Sequence, residues 1–334
     1  MPRPAGHFFL LASVLATAPL ASAAEQPAST ARVAYTIQLG FEKGQLIKAK
    51  ALEHIELQMN LDIKMDVEGQ AQKQSQEILQ ETTTSQVFEE EVLTVIDGQP
   101  SKIRREYETY STKMKTDPPM PEPEDETTLE GASVIFSRTG EETSARLEGK
   151  AQPKLQPLLE QLESLNQEYA PFLPAQPVRL NDKWTVDQKY FQDKLKKLLP
   201  RTGREGLSMK ITNSSGSMEC RLKDVREESS GLIGVIEVNS DLEAEFNTKA
   251  KLEQESGEED QAVQVKAVSD TTLSIKAKTT LEINLTKRQL MSDATTGTMR
   301  LHTTADIEEP APMTMTIKAK GPIENTTIFT YLKK

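Results

Sequence analysis

Apolar and polar residues alternate along the chain from Ile47 to Val67 with almost no interruption. Ten of the eleven odd-numbered positions in this segment are apolar, with Glu53 the exception, whereas nearly all even-numbered positions are polar. Because successive side chains of a β-strand point to opposite faces, a period of two predicts a long strand with one buried and one wet face. Such one-sided strands are typical of antiparallel sheets.

The same alternation returns in two later segments, Val263 to Leu285 and Met313 to Ala319. Turn motifs separate the apolar segments, so about ten or more strands, joined mostly as hairpins, are expected. At ~3.3 Å per residue, the segment from Ile47 to Val67 would extend on the order of 70 Å, which predicts a twisted, bent or bulged sheet. The turn motifs are Glu68-Gly69, Asp97-Gly98, Thr139-Gly140, Ser214 to Ser217, Ser229 to Gly231 and Ser256-Gly257.

The middle of the chain changes to a helical period. Five leucines predict one helix, and Pro153 and Pro157 lie near its start, where a missing amide donor costs little. A second helix is expected to begin with Asp187 as its N-cap and to end at Pro200. The apolar positions of the two helices are Leu155, Leu158, Leu159, Leu162 and Leu165, and then Tyr190, Phe191, Leu195, Leu198 and Leu199.

These elements predict an α+β fold that is mainly antiparallel β. Residues 33–334 would form a single β-rich domain, a large curved, half-barrel-like sheet whose apolar face is covered by a central two-helix insert, residues 153–199. The acidic, proline-rich segment 117–126 is predicted to be an exposed loop. At ~25 cal/mol per Å², 400 Å² of uncovered apolar surface would cost about 10 kcal/mol. The apolar face must therefore be covered by the helices, by the sheet curling on itself, by a second sheet or by a ligand.

Composition and the N-terminus narrow the protein class and its cellular location. The chain carries 51 acidic and 40 basic residues, a formal net charge of −11, which excludes a strongly basic nucleic-acid binder. Arg3, an apolar run from Phe8 to Leu20 and the small residues Ala21 to Ala23 predict a secretory signal peptide, residues 1–23, followed by a linker, residues 24–32. We therefore expect an exported periplasmic or extracellular protein that is soluble and not lipidated.

The sequence contains no catalytic signature, and no enzymatic activity, metal or cofactor is predicted. Nucleophile elbows, phosphate loops and dinucleotide fingerprints do not occur, and the lone Cys220 and the separated His54 and His302 cannot complete a zinc site. Trp184, the only tryptophan, is expected to be a structural anchor that packs the insert on the sheet. The second helix carries a basic face formed by Lys189, Lys194, Lys196 and Lys197. This face could bind a membrane surface or an envelope protein partner, and the alternative is that it is simply solvated.

Several motifs resemble those of exported bacterial proteins of planctomycete type that are classed as a domain of unknown function. They are Phe41-Glu42-Lys43-Gly44-Gln45 before the long strand, Val95-Ile96-Asp97-Gly98, and an element from Pro177 to Trp184 in which Asn181 replaces the family's glycine. The resemblance spans most of the mature chain and implies no activity or catalytic residue. In outline the layout is also similar to periplasmic lipoprotein carriers of the LolA and LppX kind, which is an analogy of architecture alone.

The predicted function is binding of an apolar ligand, such as an acyl chain or another lipid-like molecule, between the curved sheet and the helices. The alternative is a structural or interaction module of the cell envelope with a fully packed core. An apolar cavity would favour the binding protein. The predicted ligand-binding residues are Ile55, Leu57, Met59, Leu61, Ile63, Leu158, Leu162, Leu195, Ile275 and Leu281.

Overall fold

The structure is a computed structural model that describes residues 33–332 with several short gaps. The predicted signal peptide and linker lie outside the described residues, and so does most of the predicted acidic loop, which falls in the gap at residues 120–127. The other gaps are residues 68–69, 140–141, 151, 161, 199–206, 256–261 and 308–311.

Long strands make up most of the described chain, and the helices are short. The strands are β1 (Ala34–Tyr35), β2 (Leu46–Val67), β3 (Gln70–Ile96), β4 (Gln99–Asp117), β5 (Ser133–Thr139), β6 (Glu142–Leu147), β7 (Val178–Arg179), β8 (Lys183–Thr185), β9 (Leu207–Glu228), β10 (Gly231–Glu255), β11 (Ala262–Asn284), β12 (Gln289–Ile307) and β13 (Met313–Leu332). The α-helices are α1 (Gln156–Leu159), α2 (Leu165–Tyr169) and α3 (Gln188–Leu198), and 3₁₀ turns cover Pro153–Leu155 and Ala170–Phe172. The predicted antiparallel β architecture is confirmed.

Eleven of the described strands form one sheet in the order β6-β5-β4-β3-β2-β13-β12-β11-β10-β9-β8, and β1 pairs separately with β7. Most neighbours are consecutive in sequence, but the last strand, β13, pairs with β2 and so lies between the two halves of the chain. The N-terminal and C-terminal segments of long alternation consequently belong to the same sheet. This sheet is open, because β6 and β8 are its two edges.

The predicted long strand is β2, which is paired on both sides along nearly its whole length. Its ladder with β3 runs from Leu46 opposite Glu91 to Val67 opposite Gln70 without a register shift. Ile55, one of its odd-numbered apolar residues, is 1% exposed. We call the face that carries these residues the inner face, because the helices pack on it, and the opposite face the outer face.

Register shifts and closely packed glycines mark irregular points in the long strands. The ladder between β9 and β10 shifts register twice. Gly321 of β13 approaches β2 so closely that a Cβ atom would lie 1.6 Å from the Glu56 carbonyl oxygen. Gly216, at φ +124°, approaches the Asp241 carbonyl oxygen of β10 in a similar way. The predicted turn over Ser214 to Ser217 is therefore wrong, because this segment continues β9 and its glycine permits a close approach between strands.

The helical insert differs from its prediction in the first helix. The single helix expected over Leu155 to Leu165 is wrong, because α1 ends at Leu159 and α2 begins only at Leu165. Ser164 is extended and forms a capping box with Gln167, and such a box starts a new helix. The second helix begins as predicted, since the Asp187 carboxylate accepts a hydrogen bond from the backbone N–H of Lys189 at 2.8 Å.

A buried ion pair fastens the insert to the inner face. Arg105 of β4 donates to the Glu90 carboxylate of β3 from Nε at 3.0 Å and from Nη2 at 2.5 Å, and the two side chains are 5% and 1% exposed. The same guanidinium donates to the Glu163 carbonyl oxygen at 2.9 Å, just before α2. The Glu90 carboxylate in turn accepts the Leu165 N–H at 3.3 Å, so the pair contacts both sides of the helix start.

Trp184 connects the edge of the sheet to the insert. It lies in β8 opposite Cys220 of β9, and its indole N–H donates to the Phe172 carbonyl oxygen at 3.0 Å. This is the contact that a structural anchor requires. Asn181, in the turn just before β8, adopts φ +69°, a left-handed conformation that favours glycine and that asparagine tolerates.

Candidate apolar binding face

Among the described residues, buried apolar side chains of the helices and the sheet pack against each other. Leu158 and Leu162 are partly buried and pack against the hydrophobic core. Five other predicted ligand-binding residues are themselves core residues with at most 6% exposure: Ile55, Leu57, Leu195, Ile275 and Leu281. The sequence predicts a ligand between the sheet and the helices. The accessible apolar surface of the inner face does not lie there among these residues, but beyond the helices.

Beyond the helices, the inner face continues as a partly exposed apolar surface. Three further predicted residues, Met59, Leu61 and Ile63, are partly exposed there. Met59 still packs against the core, whereas Leu61 and Ile63 do not. We define the distal inner face as the partly exposed apolar residues of β2, β12 and β13 that lie outside the core cluster: Leu61, Ile63, Met65, Ile307, Met313, Met315 and Ile317.

Charged side chains do not interrupt this surface among the described residues. The flanking inner positions are also uncharged, and they are Gln72, Gln74 and Gln76 on β3, Thr303 and Ala305 on β12, and Ala267, Ser269 and Thr271 on β11. The outer face of the same strand segments carries many charges, including Asp62, Lys64, Lys73, Glu77, Asp270, Arg300, Asp306 and Lys318. In a chain with 27% charged residues, this segregation gives the distal sheet one face suited to water and one suited to an apolar partner.

The distal inner face is compact and adaptable. Along β2, its residues Leu61 to Met65 span about 13 Å at ~3.3 Å per residue. Met65, Met313 and Met315 contribute flexible thioether side chains, which fit irregular apolar partners. The predicted site residues did not include these methionines, although the alternation that identified Leu61 also places them on the same face.

A polar cluster lies within the inner face at the other end, beneath α2. Asp293 of β12 and Asn325 of β13 are 0% and 3% exposed, and their side-chain oxygens have no hydrogen-bond partner of normal geometry among the described residues. Glu53, the exception in the alternation, pairs with Asn325 across the strands and is 7% exposed. Burial raises the pKa of the Asp293 carboxyl to about 6, although the hydroxyls of Thr327 and Tyr169 act to lower it.

The raised pKa of Asp293 predicts a pH-dependent change in stability. The folded state binds this proton more tightly than the unfolded state, where the pKa is near 3.8, so stability falls as the pH rises from about 4 to about 6. A shift of about two pKa units corresponds to ~3 kcal/mol. Asp293→Asn is therefore expected to match the wild type below pH 4 and to be about 3 kcal/mol more stable at pH 7, measured by urea unfolding. Asp306→Asn, an exposed site on the same strand, should show no such divergence, and equal curves for Asp293→Asn at every pH would contradict the prediction.

The basic face predicted on α3 is only partly as expected. Lys194 forms an ion pair with the Glu163 carboxylate, and its Nζ lies 5.4 Å from the centre of the Tyr190 ring. Its side chain is 27% exposed, so the ammonium group is already engaged within the insert, and partner binding through this helix stays a prediction. Lys189 is exposed, and the side chains of Lys196 and Lys197 lie outside the described part of the structure.

His54 and Cys220, two groups that could in principle bind a metal or react, make contacts typical of structural side chains. His54 contacts the Thr83 hydroxyl at 3.3 Å and the Glu81 carboxylate at 4.0 Å. Cys220 is fully buried, and burial raises the pKa of its thiol to about 12, which disfavours the reactive thiolate. Within the described ranges, no group of three histidine, cysteine or acidic side chains is arranged to hold a metal ion.

A surface depression of about 450 Å³ adjoins the distal end of β2 and β3. Most of its lining residues are polar, so it differs from an enclosed apolar pocket. The lining residues are Asn60, Leu61, Asp62, Ser75, Gln76, Glu77 and Lys318. The helices that the structure describes include none long and apolar enough to cross a lipid bilayer.

Comparison with known proteins finds only remote structural likeness. No family model matches the chain, and no curated protein sequence is similar to it. The crystal structure of Pseudomonas aeruginosa OpdQ is 9% identical, with a TM-score of 0.20 over 86% of this chain and 98% of that chain. For Acinetobacter baumannii OccAB4 the values are 5% identity and a TM-score of 0.18, over 84% of this chain and 98% of that chain. Likeness at this level carries no argument about function.

Proposed function

We propose that this protein is an exported, non-enzymatic carrier that binds an apolar chain, such as the acyl chain of a lipid, along the distal inner face. One observation carries the proposal: a partly exposed apolar surface, without charged side chains among the described residues, lies on a sheet whose opposite face is densely charged. An acyl chain is the occupant that matches this chemistry, because it offers apolar contact along its length and no groups that need hydrogen bonds.

The expected gain in free energy fits reversible binding. Each buried methylene group contributes about 0.8 kcal/mol, so partial burial of a long acyl chain yields several kcal/mol before ordering costs are subtracted. The methionines allow chains of different shape to make comparable contacts. We therefore expect a preference for chain length rather than for one head group.

A matched pair of substitutions on β2 tests the proposal. Ile63→Asp places a carboxylate in the middle of the distal inner face, and Asn60→Asp places one on the outer face of the same strand. Because an ionised carboxylate must be desolvated beside a bound chain, Ile63→Asp is expected to weaken binding of a fluorescent fatty acid about tenfold or more. Asn60→Asp should bind like the wild type, and circular dichroism should confirm that both variants are folded.

Two results would contradict the carrier proposal. One is the absence of saturable fatty-acid binding by the wild-type protein, and the other is an equal loss of affinity in Ile63→Asp and Asn60→Asp. The first result would favour the second candidate, a structural or interaction module of the cell envelope. The buried side chains that the described part of the structure places between helices and sheet support that candidate, because a packed core is what such a module requires.

A further inference from the structure

Four basic side chains form a cluster on the outer face of the neighbouring strands β12 and β13. Arg300 lies directly opposite Lys320 in the ladder between these strands, and His302 lies directly opposite Lys318. All four residues are exposed. Opposed Cβ atoms in an antiparallel ladder are about 5 Å apart, and the two rows are separated by about 7 Å along the strands. We call these four residues the basic quartet.

The basic quartet differs from other charged positions of the outer face. There, bases form ion pairs with acids on neighbouring strands, as Arg104 does with Glu91 at 2.6 Å and Lys276 with Asp241 at 2.7 Å. Among the described residues, no carboxylate forms such an ion pair with a member of the quartet. Like charges directly opposite each other destabilise a strand pair, so the quartet holds positive charge that the protein itself does not neutralise.

The direct cross-strand neighbours of the quartet on this face are polar and uncharged. They are Gln58 and Asn60 of β2 and Thr272 and Ser274 of β11.

Two acids on β2 lie diagonally across from the quartet. Glu56 is exposed and forms no ion pair with Lys320 in the described structure. Asp62 accepts a hydrogen bond from the Ser75 hydroxyl, which lowers the pKa of its carboxyl, and Lys73 and Lys318 make smaller contributions in the same direction. Asp62 also forms an ion pair with Lys73 at 3.4 Å. These acids therefore leave the outward side of the quartet accessible to an anion.

We infer that the basic quartet is a binding site for a compact, multiply charged anion of the phosphate type. A phosphoryl group carries up to two negative charges on oxygens that accept strong hydrogen bonds from guanidinium and ammonium groups. Such an anion would offset the repulsion within both opposed pairs at once. The site lies on the face opposite the proposed acyl-chain surface, so the inference does not depend on the carrier function. Soluble phosphate compounds and lipid head groups share this chemistry.

Titration calorimetry with inorganic pyrophosphate tests the site on the purified protein. We expect saturable binding below about 1 mM, and Arg300→Gln or Lys320→Gln should each weaken it about tenfold. Lys276→Gln is the matched control, because it removes an equal charge from the outer face of the adjacent strand β11, where Asp241 already neutralises it. No saturable binding by the wild type, or an equal loss of affinity in Lys276→Gln, would overturn the inference.

Urea unfolding gives a second readout of the same site. An anion that binds only the folded state stabilises it, so pyrophosphate should raise the unfolding midpoint of the wild type and of Lys276→Gln. The double variant Arg300→Gln, Lys320→Gln should lose this rise. Circular dichroism should show that the double variant is folded in chloride buffer, because the exchange removes repulsion and no ion pair. An equal rise in all three proteins would place the anion elsewhere and overturn the inference.

Vesicle sedimentation distinguishes the two sources of the phosphoryl group. Retention on phosphatidylcholine vesicles that contain phosphatidic acid, lost in Arg300→Gln and absent without phosphatidic acid, would identify a lipid head group. Pyrophosphate binding without such retention would identify a soluble phosphate compound, and the absence of both would overturn the inference. A saturating fatty acid should leave the pyrophosphate affinity unchanged, because the sheet separates the two surfaces. Failure of fatty-acid binding would therefore contradict the carrier proposal alone.

Discussion

Arg105→Ala is expected to lower the free energy of unfolding by about 3–5 kcal/mol, because it leaves the buried Glu90 carboxylate without its counter-charge. The guanidinium also lies 4.0 Å from the centre of the Phe88 ring and donates to the Tyr107 hydroxyl at 3.1 Å. Its loss would release the start of α2, since the Glu163 carbonyl oxygen loses a donor at the same time. We expect the insert to loosen before the sheet unfolds.

The neighbouring residue provides a matched control. Arg104 pairs with Glu91 on the outer face of the same two strands, at 2.6 Å, but its side chain is 36% exposed. Arg104→Ala should therefore cost less than about 1 kcal/mol. Urea unfolding followed by Trp184 fluorescence reports on the insert, and circular dichroism reports on the sheet. Similar losses in the two variants would show that the buried pair does not fasten the insert.

Gly321→Ala is expected to cost about 3 kcal/mol or more, because its Cβ atom would lie 1.6 Å from the Glu56 carbonyl oxygen. The obstacle is the backbone of the central strand β2, which cannot move without disturbing both of its ladders. Gly40→Ala is the milder comparison, since the nearest atom to its Cβ would be the Arg288 Cβ at 3.1 Å, a contact that a shift of a few tenths of an ångström relieves. The free energies of unfolding in urea measure both effects, and a cost below 1 kcal/mol for Gly321→Ala would contradict the close approach between β13 and β2.

The strands were predictable from sequence because a period of two has one structural cause. The alternation from Ile47 to Val67 became β2, and the later segments became β11 and β13. The Asp97-Gly98 turn was predictable too, since both residues adopt the positive φ angles that a two-residue hairpin favours. The pairing of β13 with β2 was not predictable, because alternation specifies a face and not a neighbour.

The covered and uncovered parts of the inner face could not be separated by periodicity alone. Leu57 and Ile63 have the same parity and similar side chains, yet only Leu57 belongs to the core. What distinguishes them is how far the insert extends over the sheet. This depends on the insert forming two short helices, with α1 ending at Leu159 and α2 beginning at Leu165, rather than the one predicted helix. The buried Asp293 was also missed, because a lone acid within a strand is usually exposed, whereas Glu53 at least interrupted a regular pattern.

The most direct test of the carrier proposal is photo-cross-linking with a fatty acid that carries a diazirine at the end of its chain. After irradiation of the folded protein, peptide mass spectrometry identifies the modified residues. We expect label on the distal inner face, within Leu61–Met65 of β2 and Met313–Ile317 of β13, and an excess of unlabelled fatty acid should remove it. Competable label confined to Leu158, Leu162 or Leu195, or to outer-face residues such as Lys64 and Lys318, would contradict it.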